Sequence, residues 1–241
     1  MSATSTIIRS SRSRRSEVPR LQSGDRLSRA EFERRYEATP NLKKAELIEG
    51  VVFMPPPVAQ DGHSNQHFNI IMILGIYVLA TPGIEGGDNG SLRLDLDNMP
   101  QPDTFLRILE SHGGQSRIDA DRYLEGAPEF VAEIAATSAN YDLHDKLNVY
   151  RRSGVKEYLV WRVLDRAIDY FVLKGDNFVP LVQTKKGIFQ SEVFPGLWLD
   201  PTALIARDLA KVESVMRKGL ASRQHSAFVN KLKQVAKARA K

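Results

Sequence analysis

Hydrophobic and polar residues follow one another along the chain in a pattern that predicts a mixed α/β fold. Three short apolar runs predict buried strands: residues 104–109, 129–135 and 155–163. Between the last two runs, Leu143, Leu147 and Tyr150 recur at the spacing of one helical face, and Gly154 marks the end of that helix. A strand, a helix and a strand in this order form a βαβ unit, so its two strands should be parallel.

The remaining pattern adds elements on both sides of this unit. Ser28 and Glu31 have the spacing of a capping box, which predicts a helix through about Tyr36. Gly50 predicts the turn of a hairpin within residues 45–54. The pattern predicts five further segments: a buried helix at 63–79, a glycine-rich loop at 81–88, a half-exposed strand at 92–97, a hairpin formed by 167–173 and 178–182, and helical structure from Pro201 onward. We therefore expect a mixed sheet flanked by helices.

The charge distribution divides the chain into three parts. The net charge is +5, but residues 1–29 hold seven Arg against two acidic residues, and residues 206–241 hold ten Lys or Arg against two. We therefore expect a disordered basic arm at 1–27, one folded domain at 28–205 and a basic helical extension at 206–241. Basic ends on an acidic middle suit contact with a polyanion, although such tails are also often only solubilising.

Composition excludes several classes of protein. The chain has no cysteine, which rules out disulfide scaffolds, zinc ribbons and thiol nucleophiles. The first twenty residues lack an apolar stretch, so no secretory signal is predicted. The longest uncharged run, residues 68–84, has 17 residues and is interrupted by glycine and proline, which predicts a buried helix rather than a membrane span. These features favour a cytoplasmic protein without a membrane segment.

Glu133 does not fit a purely structural role. It lies in the run Glu129-Phe-Val-Ala-Glu-Ile-Ala, which is otherwise apolar from residue 130 onward, as expected for a central strand buried on both faces. An ionised carboxylate in that position is costly unless it is paired or bound to a metal. A neighbouring Arg or Lys and a metal ion explain it equally well.

Asp103 and Lys146 complete a candidate site. Asp103 begins a predicted strand after two prolines, where its carboxylate would have a fixed direction. Lys146 lies beside the apolar stripe of the predicted helix, so its ammonium could reach the end of the Glu133 strand; a lysine extending along the helix edge into solvent is the simpler alternative. Two carboxylates at strand ends can hold Mg²⁺, and a lysine nearby would balance negative charge developing on a phosphodiester.

Four stretches resemble the Uma-type family of restriction-endonuclease-like proteins, in the PD-(D/E)xK nuclease superfamily. They are Ala45-Glu-Leu-Ile-Glu-Gly-Val-Val, Gln101-Pro-Asp-Thr-Phe, Val131-Ala-Glu-Ile-Ala, and the segment from Tyr141 to Tyr158. The resemblance covers roughly residues 28–200. It implies a restriction-endonuclease-like fold and a Mg²⁺-dependent DNA nuclease, with Mn²⁺ as a substitute metal.

The resemblance also implies roles for individual residues. Asp103 and Glu133 would bind the metal, Lys146 would be the catalytic lysine, and Glu46 would be an additional acidic residue of the site. The superfamily usually has its lysine two residues after the glutamate, where this chain has Ala135; the Uma-type pattern moves the lysine to the following helix.

Further residues are candidates for supporting roles. His63 matches a position where the family often has a histidine, whereas His67 is expected to be structural. Asp88, in a glycine-rich segment without the ending of a P-loop, is expected near the site. Four basic residues of the C-terminal extension are candidates for nucleic-acid contact: Lys231, Lys233, Lys237 and Arg239.

Two alternatives to a DNA nuclease stay open. The first is a catalytically degenerate nuclease fold that binds nucleic acid or another partner. The presence of all three candidate catalytic residues, Asp103, Glu133 and Lys146, argues against it. The second is a hydrolase acting on RNA or on a nucleotide, because fold does not determine substrate. A homodimer is compatible with either and is not indicated by any motif.

Overall fold

A six-stranded mixed sheet forms the centre of the computed structural model, which describes residues 18–55 and 63–240. The strands of the described residues are β1 (Glu46–Ile48), β2 (Val51–Phe53), β3 (Ile84–Asp88), β4 (Leu92–Arg93), β5 (Thr104–Ile108), β6 (Arg117–Ile118), β7 (Leu124–Glu125), β8 (Phe130–Ala135), β9 (Glu157–Arg162), β10 (Ala167–Lys174), β11 (Asn177–Pro180), β12 (Phe189–Gln190) and β13 (Trp198–Leu199). The central sheet has the order β11-β10-β9-β8-β5-β3. Its one parallel pair is β8 with β9; all other neighbours are antiparallel.

Helices cover both faces of this sheet. In the described part of the chain they are α1 (Arg29–Glu37), α2 (Asn65–Ala80), α3 (Ala139–Tyr141), α4 (Leu147–Ser153), α5 (Pro201–Ala206), α6 (Leu209–Leu220) and α7 (Arg223–Arg239). A π-helical turn, Asp142–Lys146, joins α3 to α4, and a short 3₁₀ helix, Glu110–His112, follows β5. The predicted mixed sheet flanked by helices is confirmed. None of the helices described is long and apolar enough to cross a membrane.

The predicted βαβ unit is present, and its hydrophobic residues explain why. β8 is buried at every position and pairs in parallel with β9, from Phe130 beside Glu157 to Ala135 beside Arg162. The connecting helix buries Val149 and Tyr150 against the sheet. Gly154 ends that helix with a φ of 87°, in the left-handed region that favours glycine.

Two hydrophobic clusters lie on opposite faces of the sheet. One packs α2, α5, α6 and α7 against it, with Tyr77, Phe130 and Phe194 among its fully buried side chains. The other lies under α4 and contains Tyr150 and Tyr158. Burial on both faces explains why the central strands are continuous apolar runs in the sequence.

The N-terminal part of the described chain packs against the β1–β2 hairpin. The Gly24 amide donates to Val52 O over 2.8 Å, and the Leu27 amide donates to Gly50 O over the same distance. Leu21 is buried in a third cluster with α1. Residues 18–27, which the sequence analysis assigned to a disordered arm, are therefore paired with the folded domain, while residues 1–17 lie outside the described residues. The three domain boundaries stay predictions.

Three local predictions are wrong and have clear physical reasons. The predicted loop at 81–88 contains β3, the edge strand of the central sheet. The predicted strand at 92–97 is limited to Leu92–Arg93, because the Asp95 carboxylate accepts hydrogen bonds from the Asp97 amide and the Asn98 side chain and closes a turn. Helix α1 is confirmed, but its capping box does not form, since Glu31 pairs with Arg34 and Arg35 instead.

Candidate active site

Asp103 and Glu133 lie side by side on neighbouring strands. β5 pairs with β8 so that Thr104 is opposite Ala132, and the next position of this register places Asp103 beside Glu133. The Asp103 amide lies 3.4 Å from Glu133 Oε2, and the Ile134 amide donates to Asp103 Oδ2 over 2.7 Å. Both carboxylates are buried. The structure thus brings together the two predicted metal ligands.

Lys146 reaches this pair from the helical side. Its Nζ lies 2.9 Å from Glu133 Oε1 and 2.9 Å from Glu46 Oε1, and it is 3 % exposed. Asp142, one turn earlier, is 3.6 Å away. The lysine comes from the π-helical turn, a distortion often found at functional sites. The alternative of a lysine extending into solvent is therefore excluded.

Glu46 comes from the β1–β2 hairpin. It is 1 % exposed, and its Oε1 accepts a hydrogen bond of 2.7 Å from the Gln101 amide. A backbone bridge between Leu47 and Met99 joins β1 to the segment that leads to Asp103. The first three stretches of the family resemblance therefore meet at one place in the fold.

Lys44 and His63 lie at the outer side of this cluster and contact Asp103. Lys44 Nζ is 3.2 Å from Asp103 Oδ1 and 3.3 Å from Asn89 Oδ1. His63 Nε2 is 3.2 Å from Asp103 Oδ2, so with Asp103 ionised this nitrogen donates, because a carboxylate only accepts. The side chains of Lys44 and His63 are 24 % and 15 % exposed. They form the solvent-accessible edge of the site.

Asp88 is linked to the cluster through two neighbours, His67 and Asn89. His67 Nε2 donates to the Asp103 carbonyl oxygen over 2.8 Å and lies 3.2 Å from Asp88 Oδ1. The Asp88 side chain is more than half exposed. The structure therefore places Asp88 next to the site but not inside it, and gives His67 a supporting contact that the sequence analysis did not assign to it.

The pKa values reflect a buried cluster with too much negative charge. Burial raises the pKa of Glu133 to about 8, against the opposing charge of Lys146. Burial also raises the pKa of Asp142. Burial alone would lower the pKa of Lys146, but Glu133, Glu46 and Asp142 outweigh it and raise that pKa well above its usual value. Lys146 is therefore a charged ammonium group at neutral pH.

Asp103 shows the opposite balance. Burial alone would raise the pKa of its carboxyl, but the hydrogen bond from His63 and the charge of Lys44 outweigh burial and hold the pKa below its ordinary range. Asp103 is therefore a carboxylate at neutral pH, at the accessible side of the cluster.

The donor set fits a hard divalent cation in its chemistry. Four carboxyl groups meet two ammonium groups here, so ionisation of all four would leave two negative charges in excess. Carboxylate oxygens are the ligands that Mg²⁺ prefers in proteins. Among residues 18–55 and 63–240, no three acidic or histidine side chains converge closely enough to hold an ion by themselves. A cation would therefore have at most two carboxylate ligands from this part of the chain, and Lys44 would have to move away from Asp103 Oδ1 for that residue to be one of them.

Three residues of the cluster, Lys44, Asp142 and Tyr150, were not predicted from the sequence to belong to the site. Tyr150 donates its hydroxyl to Glu133 Oε1 over 2.8 Å, although the sequence suggested only a core position. Asp142 and Tyr150 lie one turn before and one turn after Lys146, which is a signal that the spacing offered. Lys44 lies just ahead of β1, two residues before Glu46, and side chains two residues apart share a face when the chain is extended. Only the contact of Lys44 with Asp103 required the fold.

The four basic residues predicted to bind nucleic acid are exposed on α7 but distant from this cluster. They are Lys231, Lys233, Lys237 and Arg239. Arg239 donates to the Glu110 carbonyl oxygen, at the end of β5 opposite to Asp103. The seven residue steps from Asp103 to Glu110 correspond to roughly 20 Å of extended chain. The structure therefore does not bring these residues to the carboxylates.

Comparison with known proteins places this geometry in a family. A model of the Uma2 family, whose description is "Putative restriction endonuclease", matches residues 29–202. The chain belongs to this family. The suspected resemblance to Uma-type proteins is thereby confirmed, and with it the restriction-endonuclease-like fold class. The match ends at residue 202, so it excludes the whole C-terminal basic extension, residues 206–241, of this Uma2 protein.

One solved structure is similar to this Uma2 protein at low sequence identity. It is described as a putative nuclease belonging to DUF820 from Anabaena variabilis ATCC 29413. The identity is 12 %, the alignment covers 67 % of this chain and 90 % of that chain, and the TM-score is 0.48. The comparison with curated proteins gave no match.

Proposed function

We propose that this Uma2 protein is a nuclease that hydrolyses DNA phosphodiester bonds with the help of Mg²⁺ or Mn²⁺. The observation that carries this proposal is the position of Lys146, whose ammonium lies 2.9 Å from both Glu46 and Glu133 in a buried site. A buried lysine surrounded by an excess of carboxylates is expensive for a fold to maintain, and perturbed groups of this kind concentrate at functional sites.

Asp103 and Glu133 are the proposed metal ligands. Glu133 Oε1 already accepts from Lys146 and Tyr150, so Oε2 is the oxygen with spare capacity. Asp103 faces the accessible edge of the site, where substrate would enter. When bound, a divalent cation would lower the pKa of a water molecule and stabilise the charge that develops on the phosphate.

The remaining residues of the cluster would orient the metal ligands and offset negative charge. Lys146 stays protonated, so its role is electrostatic rather than that of a general base. Glu46 and Tyr150 fix the direction of the Lys146 ammonium and the Glu133 carboxylate. His63 fixes the Asp103 carboxylate, and Lys44, which is partly exposed, is placed to meet a phosphate oxygen.

The choice of DNA rests on the family and on the basic C-terminal extension. The family description names restriction endonucleases, whose substrate is DNA. Ten basic residues against two acidic ones in residues 206–241 suit contact with a polyanion. We propose 28–205 as the catalytic domain and 206–241 as an accessory DNA-binding extension.

Cleavage of plasmid DNA, single-stranded DNA and RNA tests this function. We expect the wild-type protein to cut DNA with Mg²⁺ or Mn²⁺ and to lose activity with a chelator. Glu133→Gln and Lys146→Gln should reduce the rate at least about a hundredfold, whereas Lys186→Gln, on an exposed turn, should not change it.

Three results would contradict the proposal. Equal residual cleavage in all four proteins would indicate a contaminating nuclease. Cleavage of RNA alone would identify a ribonuclease. Metal-independent DNA binding without any cleavage would favour the degenerate binding module.

A further inference from the structure

A basic cleft lies where α4 ends and β9 begins, outside the carboxylate cluster. It has a volume of about 460 Å³ and is lined mainly by Arg151, Arg152, Gly154, Lys156, Gly175 and Asp176. Neither the family resemblance nor the charge analysis assigned a role to any of these residues. We propose that this cleft binds phosphate groups of the nucleic-acid backbone, away from the bond that is cut. The choice of nucleic acid as the anion rests on the proposed function.

The charges of the cleft suit an anion. Three cationic side chains line it against one acidic residue, Asp176. Arg151 donates Nη1 to the Asp176 carbonyl oxygen over 2.7 Å, which leaves most of its five N–H groups free for a ligand. Lys156 makes no ion pair within residues 18–55 and 63–240. Arg152 pairs with Glu49, but both side chains are nearly half exposed, and such pairs hold their partners only weakly.

The cleft also offers room for close approach. Gly154 and Gly175 have φ values of 87° and 58°, and a Cβ atom built on either would meet no heavy atom within 4 Å. Each glycine therefore leaves open space where a side chain would otherwise project. Phosphate oxygens can approach backbone and cationic groups at such positions.

The cleft lies close enough to the active site for one nucleic-acid strand to contact both. Arg152 is six residues after Lys146, which corresponds to about 9 Å along a helix. In the sheet, β9 begins beside Phe130, three residues or about 10 Å from Glu133. Successive phosphates of one strand advance about 3.4 Å along the axis of a duplex, so a duplex whose axis follows this path would have about three phosphates over the separation. Such a strand would place neighbouring phosphates in the cleft while one phosphodiester lies at the carboxylates.

The same edge of the sheet continues toward the basic C-terminal helix. The Gln115 side chain donates to the Gly154 carbonyl oxygen over 2.9 Å, and Gln115 follows the Glu110 to Gly114 turn that contacts α7. The cleft and the exposed basic residues of α7 are thus joined through one short loop. A nucleic-acid backbone crossing this edge would meet both.

The salt dependence of DNA binding, measured with a duplex and without divalent metal, tests the proposal. The variants are Arg151→Gln with Lys156→Gln, and Lys185→Gln with Lys186→Gln as a control of equal charge on another exposed turn. Loss of two phosphate contacts should reduce the slope of log K against log salt by about 1.8, and should weaken binding about tenfold or more near physiological salt. The control variant should show a clearly smaller decrease in both the slope and the affinity for DNA.

Several outcomes would overturn the proposal. These are an unchanged slope in the cleft variant, an equal loss in the control, or no DNA binding by the wild-type protein. Cleft-dependent binding to phosphatidylserine vesicles without binding to DNA would show that the surface recognises a membrane instead. Because no metal is added, the measurement is independent of hydrolysis. Binding without cleavage would refute only the proposed function, and cleavage with an unchanged slope would refute only the cleft.

Discussion

Replacing Lys146 by methionine removes the positive charge from the centre of the buried cluster while keeping most of the side-chain volume. Glu46 and Glu133 would each lose a partner at 2.9 Å, and Asp142 would lose one at 3.6 Å. Breaking a buried ion pair by removing one member costs about 3–5 kcal/mol, because the remaining charge is left unpaired. That is a large part of the roughly 5–15 kcal/mol that stabilises a folded domain.

The cost should depend on pH in a defined direction. In the wild-type protein, the raised pKa of Lys146 contributes stability that is fully present below the unfolded pKa and lost only as pH rises through the folded pKa, above the range tested. The pKa of Glu133 is already raised to about 8, and without Lys146 it should rise further. A carboxyl with a raised folded pKa binds a proton more readily when folded, so its contribution to stability falls as pH rises. The deficit of the variant should therefore be larger at about pH 8.5 than at about pH 5.5.

Urea unfolding at these two pH values measures the effect. A loss of 3–5 kcal/mol should lower the midpoint by about 1–2 M or more, with an unchanged m-value. Adding Glu46→Gln to Lys146→Met removes one unpaired carboxylate and should recover part of the loss, which a double-mutant cycle quantifies. A deficit below about 1 kcal/mol, or one that grows as pH falls, would refute the reasoning.

Three further substitutions test local features of the structure. Tyr150→Phe removes the hydroxyl that donates to Glu133 over 2.8 Å and should cost about 1.5–3 kcal/mol in denaturant unfolding; no loss would mean that this hydrogen bond is not made. Gly75→Ala should stabilise the protein by up to about 1 kcal/mol, because a Cβ there meets nothing within 4 Å in a helix. Gly114→Ala should instead be strongly destabilising, because its Cβ would lie 1.8 Å from Ile108 O. Thermal unfolding measures both variants, and a higher unfolding temperature for Gly114→Ala than for Gly75→Ala would contradict these two predictions.

The sequence was sufficient to predict the elements that carry a repeating hydrophobic pattern. β8, α4 and β9 each bury one continuous set of side chains. The spacing of hydrophobic residues in the sequence therefore predicted the same elements that form in the folded protein. The same pattern placed Lys146 beside the buried stripe of the helix, which is why its approach to Glu133 was predictable. Family resemblance was needed to add Glu46, because nothing local relates β1 to β8.

Tertiary contacts decided the parts that were predicted wrongly. β3 contains Gly86 and Gly87, which resemble a loop, but the Phe105 ring covers Gly87 so closely that a Cβ there would lie 2.1 Å from Cζ. The glycine is therefore required by packing between strands. Lys44 was overlooked for a related reason, since its partner Asp103 is 59 residues away and is reached only through the β1–β2 hairpin.

The single-turnover rate of DNA cleavage by Asp103→Asn, relative to the wild-type protein at saturating Mg²⁺, tests the central claim most directly. Asparagine keeps the shape of the side chain and can still accept the hydrogen bond from the Ile134 amide, so the fold should persist. It removes the carboxylate charge at the accessible side of the site. We predict a fall in rate of about a hundredfold or more with unchanged thermal stability to within a few degrees. A folded variant that cuts DNA within about threefold of the wild-type rate would show that the carboxylate cluster is not the active site.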